Sequence, residues 1–466
     1  MEEAELNWEF IKAQLPAGWR ELAVERELIR PQPPQLRTKV TDIEQVLRPL
    51  LLRVSWGTSL VTTMGTIALA KAAVEGNGTG TADPGAPAQV GGEPHGAAMP
   101  SNSLVAMSAV ALHKWERKLG PYLATLLARM LDSKSTFSAL QWSGYDIVLA
   151  DGTTVTRPGA QGTTARVLYA LHLEDMTLLQ CFVTDEHGSE RLRAFEVHPG
   201  QLWIGDRAYC NPPDLAWVVD AGAALMVRYN RGTLPLYDAK GQPFDVLSHV
   251  RALRDPDAMA EWRVWVHPQR HTPIRGRLCA VRLPEEKIEA ARERLRREQG
   301  GKVTAESLEA AAWVMVFTTV SRRRIHTESV LALYRVRWQM ELEIKREKSL
   351  GGLDKLPNFL PETIAAWLQA KLLIQQIARK IVSPSVAFPP CAAVVVPVAR
   401  SPQRGAAAVV SVAHSSQRGA AAVVPASRSD PREAAPARAS DRRPNVARHG
   451  ARLPDHPRRT ATHIAA

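Results

Sequence analysis

Between Gly144 and Tyr229 the sequence alternates short β-rich runs with turn residues, and this alternation limits the possible folds more than any other feature. Short runs rich in β-branched and aromatic residues, separated by Gly, Pro and Asp, are typical of strands. The predicted strands are 146–150, 166–173, 177–184, 201–205 and 224–229, and the predicted helical segments are 189–195 and 212–220. The order β-β-β-α-β-α-β predicts an α/β fold with a mixed sheet flanked by helices.

This order is that of an RNase H-like core, which the downstream sequence interrupts and then completes. Residues 230–320 are predicted to be a β-rich insertion, with strands at 261–266, 277–283 and 312–319 and a charged helix near 285–299. The core then resumes with a long helix at 327–350 and ends with an amphipathic helix at 361–381. We predict that residues 144–383 form one RNase H-like domain.

The regions on either side of this domain differ from it in composition. Residues 1–135 are predicted to be all-helical, because apolar residues recur at helical spacing before residue 73 and again after residue 103. Within this region, residues 74–103 are rich in Gly, Ala, Pro, Asn and Thr, which predicts a flexible loop or linker. Residues 384–466 form a low-complexity tail rich in Arg, Ala and Pro, and we predict that it is disordered.

The net charge gives only weak support for a nucleic-acid partner. The whole chain carries a formal charge of +12, which suggests an anionic partner. The tail alone holds 12 Arg, no Lys and 4 acidic residues, so only +4 remains for residues 1–383. The body of the protein is therefore mildly basic.

Cysteine usage and hydropathy indicate a cytoplasmic protein. The four cysteines form no Cys-x-x-Cys pair, which argues against a zinc site and against a disulfide framework. The N-terminus is acidic where a signal peptide would be basic, and no apolar run reaches the length of a membrane span. We expect neither secretion nor membrane insertion.

Two aspartates occupy positions suited to phosphodiester chemistry. Cleaving or transferring a phosphodiester requires an activated oxygen nucleophile and relief of charge at phosphorus, which two Mg²⁺ ions can supply together. Mg²⁺ prefers carboxylate oxygens. Asp151 is predicted to end the first strand and Asp206 the fourth, each beside a Gly that lets the backbone turn. An isolated Asp-Gly is most often an ordinary turn, but two that end neighbouring strands would converge on one point.

The third candidate carboxylate lies on the long predicted helix. At about 100° per residue, Glu341 shares one face with Tyr334, Arg337 and Lys348, whereas Glu343 falls on the other side. A charged helix is usually a solvated one. A stripe that combines Glu with Arg, Lys and Tyr also suits a metal ligand set among phosphate contacts.

The spacing of these four residues, with two, three and six residues between them, resembles the Tyr-Arg-Glu-Lys signature of insertion-sequence-four family transposases. Asp-Gly-Thr at 151–153 and Gly-Asp-Arg-Ala-Tyr at 205–209 are similar to the two Asp motifs of that family. The resemblance covers residues 42–381. It implies a DDE transposase that cleaves DNA at transposon ends and transfers the cut strand into target DNA, a cut-and-paste reaction.

The resemblance also implies roles for individual residues. Asp151, Asp206 and Glu341 would be catalytic and would hold two Mg²⁺ ions, for which Mn²⁺ can substitute. The residues implied to bind DNA are Tyr334, Arg337 and Lys348. Arg207, next to Asp206, is a further candidate for a phosphate contact and equally an ordinary surface residue.

The implied partner is double-stranded DNA, as terminal inverted repeats bound by the N-terminal region and as the target. A homodimer on DNA is implied because two transposon ends must be joined together. Two alternatives remain open from the sequence. An RNase H-like nuclease that cuts without joining needs the same carboxylates, and the unusual tail would suit an inactive, DNA-binding remnant of an insertion sequence.

Overall fold

The fold is organised around an eight-stranded mixed β-sheet. The computed structural model describes residues 2–29, 40–57, 107–131, 144–253, 259–299, 302–356 and 361–382. The predicted linker at 74–103 and the predicted tail at 384–466 lie outside the described residues.

The strands occur along the chain as the sequence predicted, and the α/β class is confirmed. Their bounds are β1 Asp146–Val155, β2 Ala165–His172, β3 Leu178–Asp185, β4 Gln201–Gly205, β5 Ala224–Arg228, β6 Met259–Val266, β7 Ile274–Arg282 and β8 Trp313–Thr318. Across the sheet they are ordered β3-β2-β1-β4-β5-β8-β7-β6. β4 pairs in parallel with β1 on one side and β5 on the other, and all other neighbours are antiparallel.

Residues 230–320 extend this same sheet. β8 pairs antiparallel with β5, opposing Phe317 to Val227, and β7 and β6 continue outward from β8. The buried guanidinium of Arg277 on β7 donates hydrogen bonds to the carbonyl oxygens of Val320 at 2.8 Å and Ile325 at 2.9 Å. The added strands are thereby tied to the segment that leads into the helix beginning at Thr327.

Helices cover both faces of the sheet. They are α1 Glu2–Ala13, α2 Trp19–Glu25, α3 Glu44–Trp56, α4 Ala109–Leu131, α5 Pro212–Asp220, α6 Val246–Arg251, α7 Glu285–Gln299, α8 Ala305–Ala310, α9 Thr327–Arg335, α10 Trp338–Ser349 and α11 Pro361–Val382. None of the helices within the described ranges combines the length and apolar composition needed to cross a lipid bilayer.

The alternation of side chains along the central strands creates two cores. Leu149 on β1 packs with the cluster that includes Leu123 of α4 and Leu373 of α11. Its neighbour Ala150 points to the opposite face and packs with the cluster that includes Leu215 of α5. The N-terminal helices α3 and α4 therefore contribute to the same core as the sheet.

The single helix predicted at 327–350 is wrong, because the structure contains two helices there. α9 ends at Arg335 and α10 begins at Trp338. Between them, the amide N–H of Arg337 bonds the carbonyl of Tyr334, and that of Met340 bonds the carbonyl of Arg337. These three-residue hydrogen bonds tighten the chain locally in the manner of a 3₁₀ turn. The segment contains no Pro or Gly that would have predicted the break.

Candidate active site

Parallel pairing of β1 with β4 brings Asp151 and Asp206 together. The last paired residues of these strands are Ala150 and Gly205, so Asp151 and Asp206 are the next residues on adjacent strands. Adjacent strands lie about 4.8 Å apart. The expected convergence of the two carboxylates is therefore present.

The position of Asp151 within its strand differs from the prediction. β1 does not end at Asp151 but continues to Val155, because its other edge stays paired with β2, where Asp151 opposes Tyr169. What ends near Asp151 is the pairing with the shorter strand β4. The neighbouring Gly152 is part of the strand and makes no turn.

Gly152 instead makes room for the carboxylate of Glu190, on the face of the sheet opposite to the Asp151 side chain. A Cβ atom at Gly152 would lie 2.8 Å from Cγ and 2.9 Å from Oε1 of Glu190. Glu190 follows β3 in the chain and is held by Arg166 of β2, whose Nη1 donates to Oε1 at 2.8 Å. Sequence reasoning missed Glu190, because only the folded loop places it against β1.

Arg337 links the strand carboxylate to the helix carboxylate. Its Nη1 lies 3.0 Å from Oδ2 of Asp151, and its Nη2 lies 2.6 Å from Oε1 of Glu341. Glu341 is in the first turn of α10 with its side chain 49% exposed, so one edge of the site is open to solvent. The structure brings Asp151, Asp206 and Glu341 to one region, as the sequence predicted.

The other residues of the four-residue signature also reach this region. Tyr334 is buried, and burial raises the pKa of its hydroxyl to about 12 against the opposing charge of Arg337. Its ring is therefore not exposed for stacking on a base. Lys348 donates from Nζ to the carbonyl oxygen of Thr154 on β1 at 3.1 Å. Arg207 is exposed beside Asp206.

Helical phase correctly separated Glu341 from the other glutamates of α10. Glu343 and Glu347 are buried on the side that faces α11, where Arg379 forms an ion pair with Glu343. These two carboxylates belong to the packing of the helix. Glu341 remains the member of the set that faces the aspartates.

The electrostatics of the site favour a bound cation. Burial raises the pKa of Asp151 to about 7, Arg337 and the amide of Gly152 oppose the rise, and the negative charges of Asp206 and Glu190 add to it. Carboxylate oxygens are the donors that Mg²⁺ prefers, so this residue set fits a hard divalent ion. Within the described ranges no three His, Cys, Asp or Glu side chains already surround a single point as ligands. Arg337 stands between Asp151 and Glu341.

A second residue that sequence reasoning missed is Arg228, the last residue of β5. Gly205 pairs with Val227, so Arg228 lies next to Asp206 across the strand pair. Burial lowers the pKa of Arg228, and the nearby positive charge of Arg207 lowers it further. A charged residue that ends the apolar run Ala-Leu-Met-Val was a usable signal.

Comparison with known proteins agrees with this geometry. Residues 142–374 match the family model described as "Transposase DDE domain". Over 300 residues the chain is 32% identical to "Putative transposase InsL for insertion sequence element IS186A" from Escherichia coli strain K12. The aligned region covers 63% of this chain and 80% of that protein. The same values hold for "Transposase for insertion sequence element IS421" from Escherichia coli. The chain therefore belongs to the DDE transposase family, as its sequence predicted.

Proposed function

We propose that this transposase cleaves DNA at the ends of its element and joins them to target DNA, with Asp151, Asp206 and Glu341 as the ligands of two Mg²⁺ ions. Enzymes of this family act on DNA with divalent metal ions, and Mn²⁺ is expected to substitute here. The observation that carries the assignment is the bridge from Asp151 through Arg337 to Glu341, with Asp206 beside Asp151 on the adjacent strand.

When bound, the two metal ions would activate the attacking oxygen and neutralise charge on the phosphate. The protein's own contribution is to hold two carboxylates at the central strands β1 and β4 and a third on a helix packed against the sheet. Such rigid elements keep ligands in place better than loops do. Asp151 is mostly buried, and the negative charges of Asp206 and Glu190 act on it. A cation bound there would offset the repulsion between these charges.

Arg337 and Lys348 would bind the DNA backbone near the cut. In the structure, Arg337 forms ion pairs with Asp151 and Glu341, and Lys348 donates to the carbonyl of Thr154. A guanidinium binds phosphate with the same paired geometry that it uses for carboxylates. We propose that Arg337 exchanges its carboxylate partners for a phosphate, that Tyr334 supports it, and that Arg207 adds a contact from the exposed side.

The remaining details follow from the resemblance to insertion-sequence-four transposases. The spacing of the four signature residues supports that assignment, since all four reach one site. We propose that the N-terminal region binds the terminal inverted repeats, and that a homodimer forms on DNA. The cytoplasm remains the expected compartment, because Cys181, Cys210 and Cys279 are buried free thiols.

The test is a strand-transfer assay with oligonucleotides that carry the element's terminal repeats. The wild-type protein should give joined products in Mg²⁺, whereas Glu341→Gln should give neither cleavage nor joining and should still bind DNA. Glu328→Gln, an exposed change on α9, is the matched control and should behave as the wild type. Cleavage without joining would favour the nuclease, and binding without cleavage by the wild type would favour the inactive remnant. Metal-dependent cleavage by Glu341→Gln would refute the assignment of that ligand.

A further inference from the structure

A row of polar side chains joins α11 to α10, the helix that carries Glu341. Lys371, Gln375 and Arg379 follow one another at intervals of four residues, so they lie along one side of α11. Each of them contacts α10 or the residues that directly follow it. We call these three side chains the polar row.

Two members of the polar row bind main-chain oxygens at the C-terminal end of α10. The buried Lys371 donates from Nζ to the carbonyl oxygens of Gly351 at 3.2 Å and Gly352 at 2.6 Å. Gln375 donates from Nε2 to the carbonyl oxygen of Glu347 at 3.1 Å. Because the acceptors belong to the backbone, these contacts fix the end of the helix itself.

Arg379 completes the polar row at the middle of α10. It forms an ion pair with Glu343 and lies 3.8 Å from Oε1 of Glu347, and its Nη1 donates to the carbonyl oxygen of Met176 at 3.4 Å. Met176 is in the turn between β2 and β3. Glu343 also pairs with Arg346 of its own helix at 3.3 Å, so Arg379 is what links this carboxylate to α11 and to the sheet.

Gly351 shows that the close approach of the polar row is built into the chain. A Cβ atom at Gly351 would lie 1.6 Å from Nε2 of Gln375 and 2.7 Å from the carbonyl oxygen of Glu347. Any other residue at this position would therefore have to displace both the glutamine and the end of the helix.

Apolar packing supplies only half of the buried side chains of α10. The buried residues of this helix are Met340, Glu343, Ile344 and Glu347. Apolar contacts are non-directional, whereas hydrogen bonds require a defined distance and angle. Buried polar contacts can therefore select one position of a helix along its axis.

We propose that the polar row positions Glu341 for the metal ion, with Arg379 as its main member. A shift of α10 by one residue would move Glu341 by about 1.5 Å along the helix axis, and a misplacement of about 1 Å is enough to impair an active site. The polar row matters most with DNA bound, since Arg337 and Lys348 are then expected to contact phosphates. The inference rests on the proposed metal site.

The experiment is a double-mutant cycle of Mn²⁺ affinity, measured on the full-length protein by electron paramagnetic resonance. Arg379→Gln should weaken the binding of one ion by about 10-fold, as for other groups that orient a metal ligand. In the Glu341→Gln background the same change should cause no further loss, because the polar row acts through Glu341. Arg379→Lys keeps the charge and should restore most of the affinity. Lys355→Gln removes an exposed positive charge after α10 and should bind Mn²⁺ as the wild type does.

The outcomes separate this inference from the proposed metal site. If Arg379→Gln does not fold, Lys371→Met takes its place in the cycle, because it removes two contacts of the polar row with a side chain of similar length. Unchanged Mn²⁺ affinity in the variant, or an equal loss with and without Glu341, would reduce the polar row to helix packing and overturn the inference while the metal site stands. If the wild type binds no Mn²⁺, or Glu341→Gln binds it as the wild type does, the proposed metal site fails and the inference fails with it.

Discussion

Replacing Glu347 with glutamine should make the protein's stability less dependent on pH. Glu347 lies on α10 with its side chain only 4% exposed, beside the buried Tyr169. The nearest cation is Arg379, which pairs with Glu343 and comes no closer than 3.8 Å to Glu347. Burial therefore dominates and raises the pKa of Glu347 to about 7.

The sign and size of the effect follow from this shift. Because the folded-state pKa lies above the ordinary value of 4.5, the folded protein holds the proton more tightly than the unfolded chain between these pH values. The free energy of unfolding should then fall as pH rises through this window and level off above pH 7. One pKa unit corresponds to about 1.4 kcal/mol, so the loss between pH 5 and pH 8 is about 2–3 kcal/mol. Glutamine imitates the protonated carboxyl group and should abolish this contribution.

The assay is urea unfolding followed by tryptophan fluorescence at pH 5 and pH 8. The quantity to compare is the change in unfolding free energy between the two pH values, since other titrating groups contribute equally to both proteins. Glu293→Gln, an exposed change on α7, should retain the wild-type pH dependence. The reasoning about burial is refuted if Glu347→Gln loses as much stability from pH 5 to pH 8 as the wild type loses.

Three further changes test other parts of the structure. Gly276→Ala should destabilise the sheet by about 1–3 kcal/mol and lower the melting temperature, because the added Cβ would lie 2.4 Å from Cζ of Phe317. His172→Gln should cost about 1.5–3 kcal/mol near pH 6, as for a hydrogen bond to a charged group. Burial opposes protonation of His172, but hydrogen bonds to Asp146 and Asp175 outweigh it and raise the pKa of His172 to about 10. In unfolding titrations, the difference in unfolding free energy between the variant and the wild type should therefore shrink as pH rises from 6.5 to 10. Lys348→Ala should weaken DNA binding and reduce the salt dependence of log K by about one unit, measured by fluorescence anisotropy.

Each of these has a matched control. Gly232→Ala meets no atom closer than 3.5 Å and should leave the melting temperature unchanged. His187→Gln, at an exposed position, should show no such pH trend. Lys345→Ala removes an exposed lysine of the same helix and tests whether any positive charge on α10 contributes equally to DNA binding. An equal loss of DNA affinity in both lysine variants would contradict a specific role for Lys348.

Local sequence patterns were enough to predict the strands of the sheet and to bring the three candidate carboxylates to one region. Strand positions follow from runs of apolar and β-branched residues, and the parallel pairing of β1 with β4 follows from the order of elements. Glu341 was chosen as the third candidate carboxylate by its spacing and by its helical phase. The four-residue step from Arg337 to Glu341 places both on one face of any helical turn, so the break between α9 and α10 did not disturb it.

What the sequence could not predict depends on contacts between distant segments. β1 runs past Asp151 because β2 pairs with its far half, which no local pattern in β1 indicates. Glu190 reaches β1 only because the loop after β3 folds back over Gly152. The helix break also has no local cause in composition, and Arg337, which precedes α10, is bound on both sides by carboxylates.

The two ends of α10 contact the same strand, and this explains how a helix carboxylate can be placed reliably beside strand carboxylates. Arg337, just before the helix, binds Asp151, and Lys348, in its last turn, bonds the carbonyl of Thr154. Glu341 lies between these two contacts, and on the opposite side of the helix Glu343 is held by Arg379. The negative charge of Glu341 also lies in the first turn of the helix, where the helix dipole favours it. The same two cations contact β1 and are the proposed phosphate contacts, so binding of DNA is expected to break these two contacts while the ion pair of Glu343 with Arg379 continues to hold the helix.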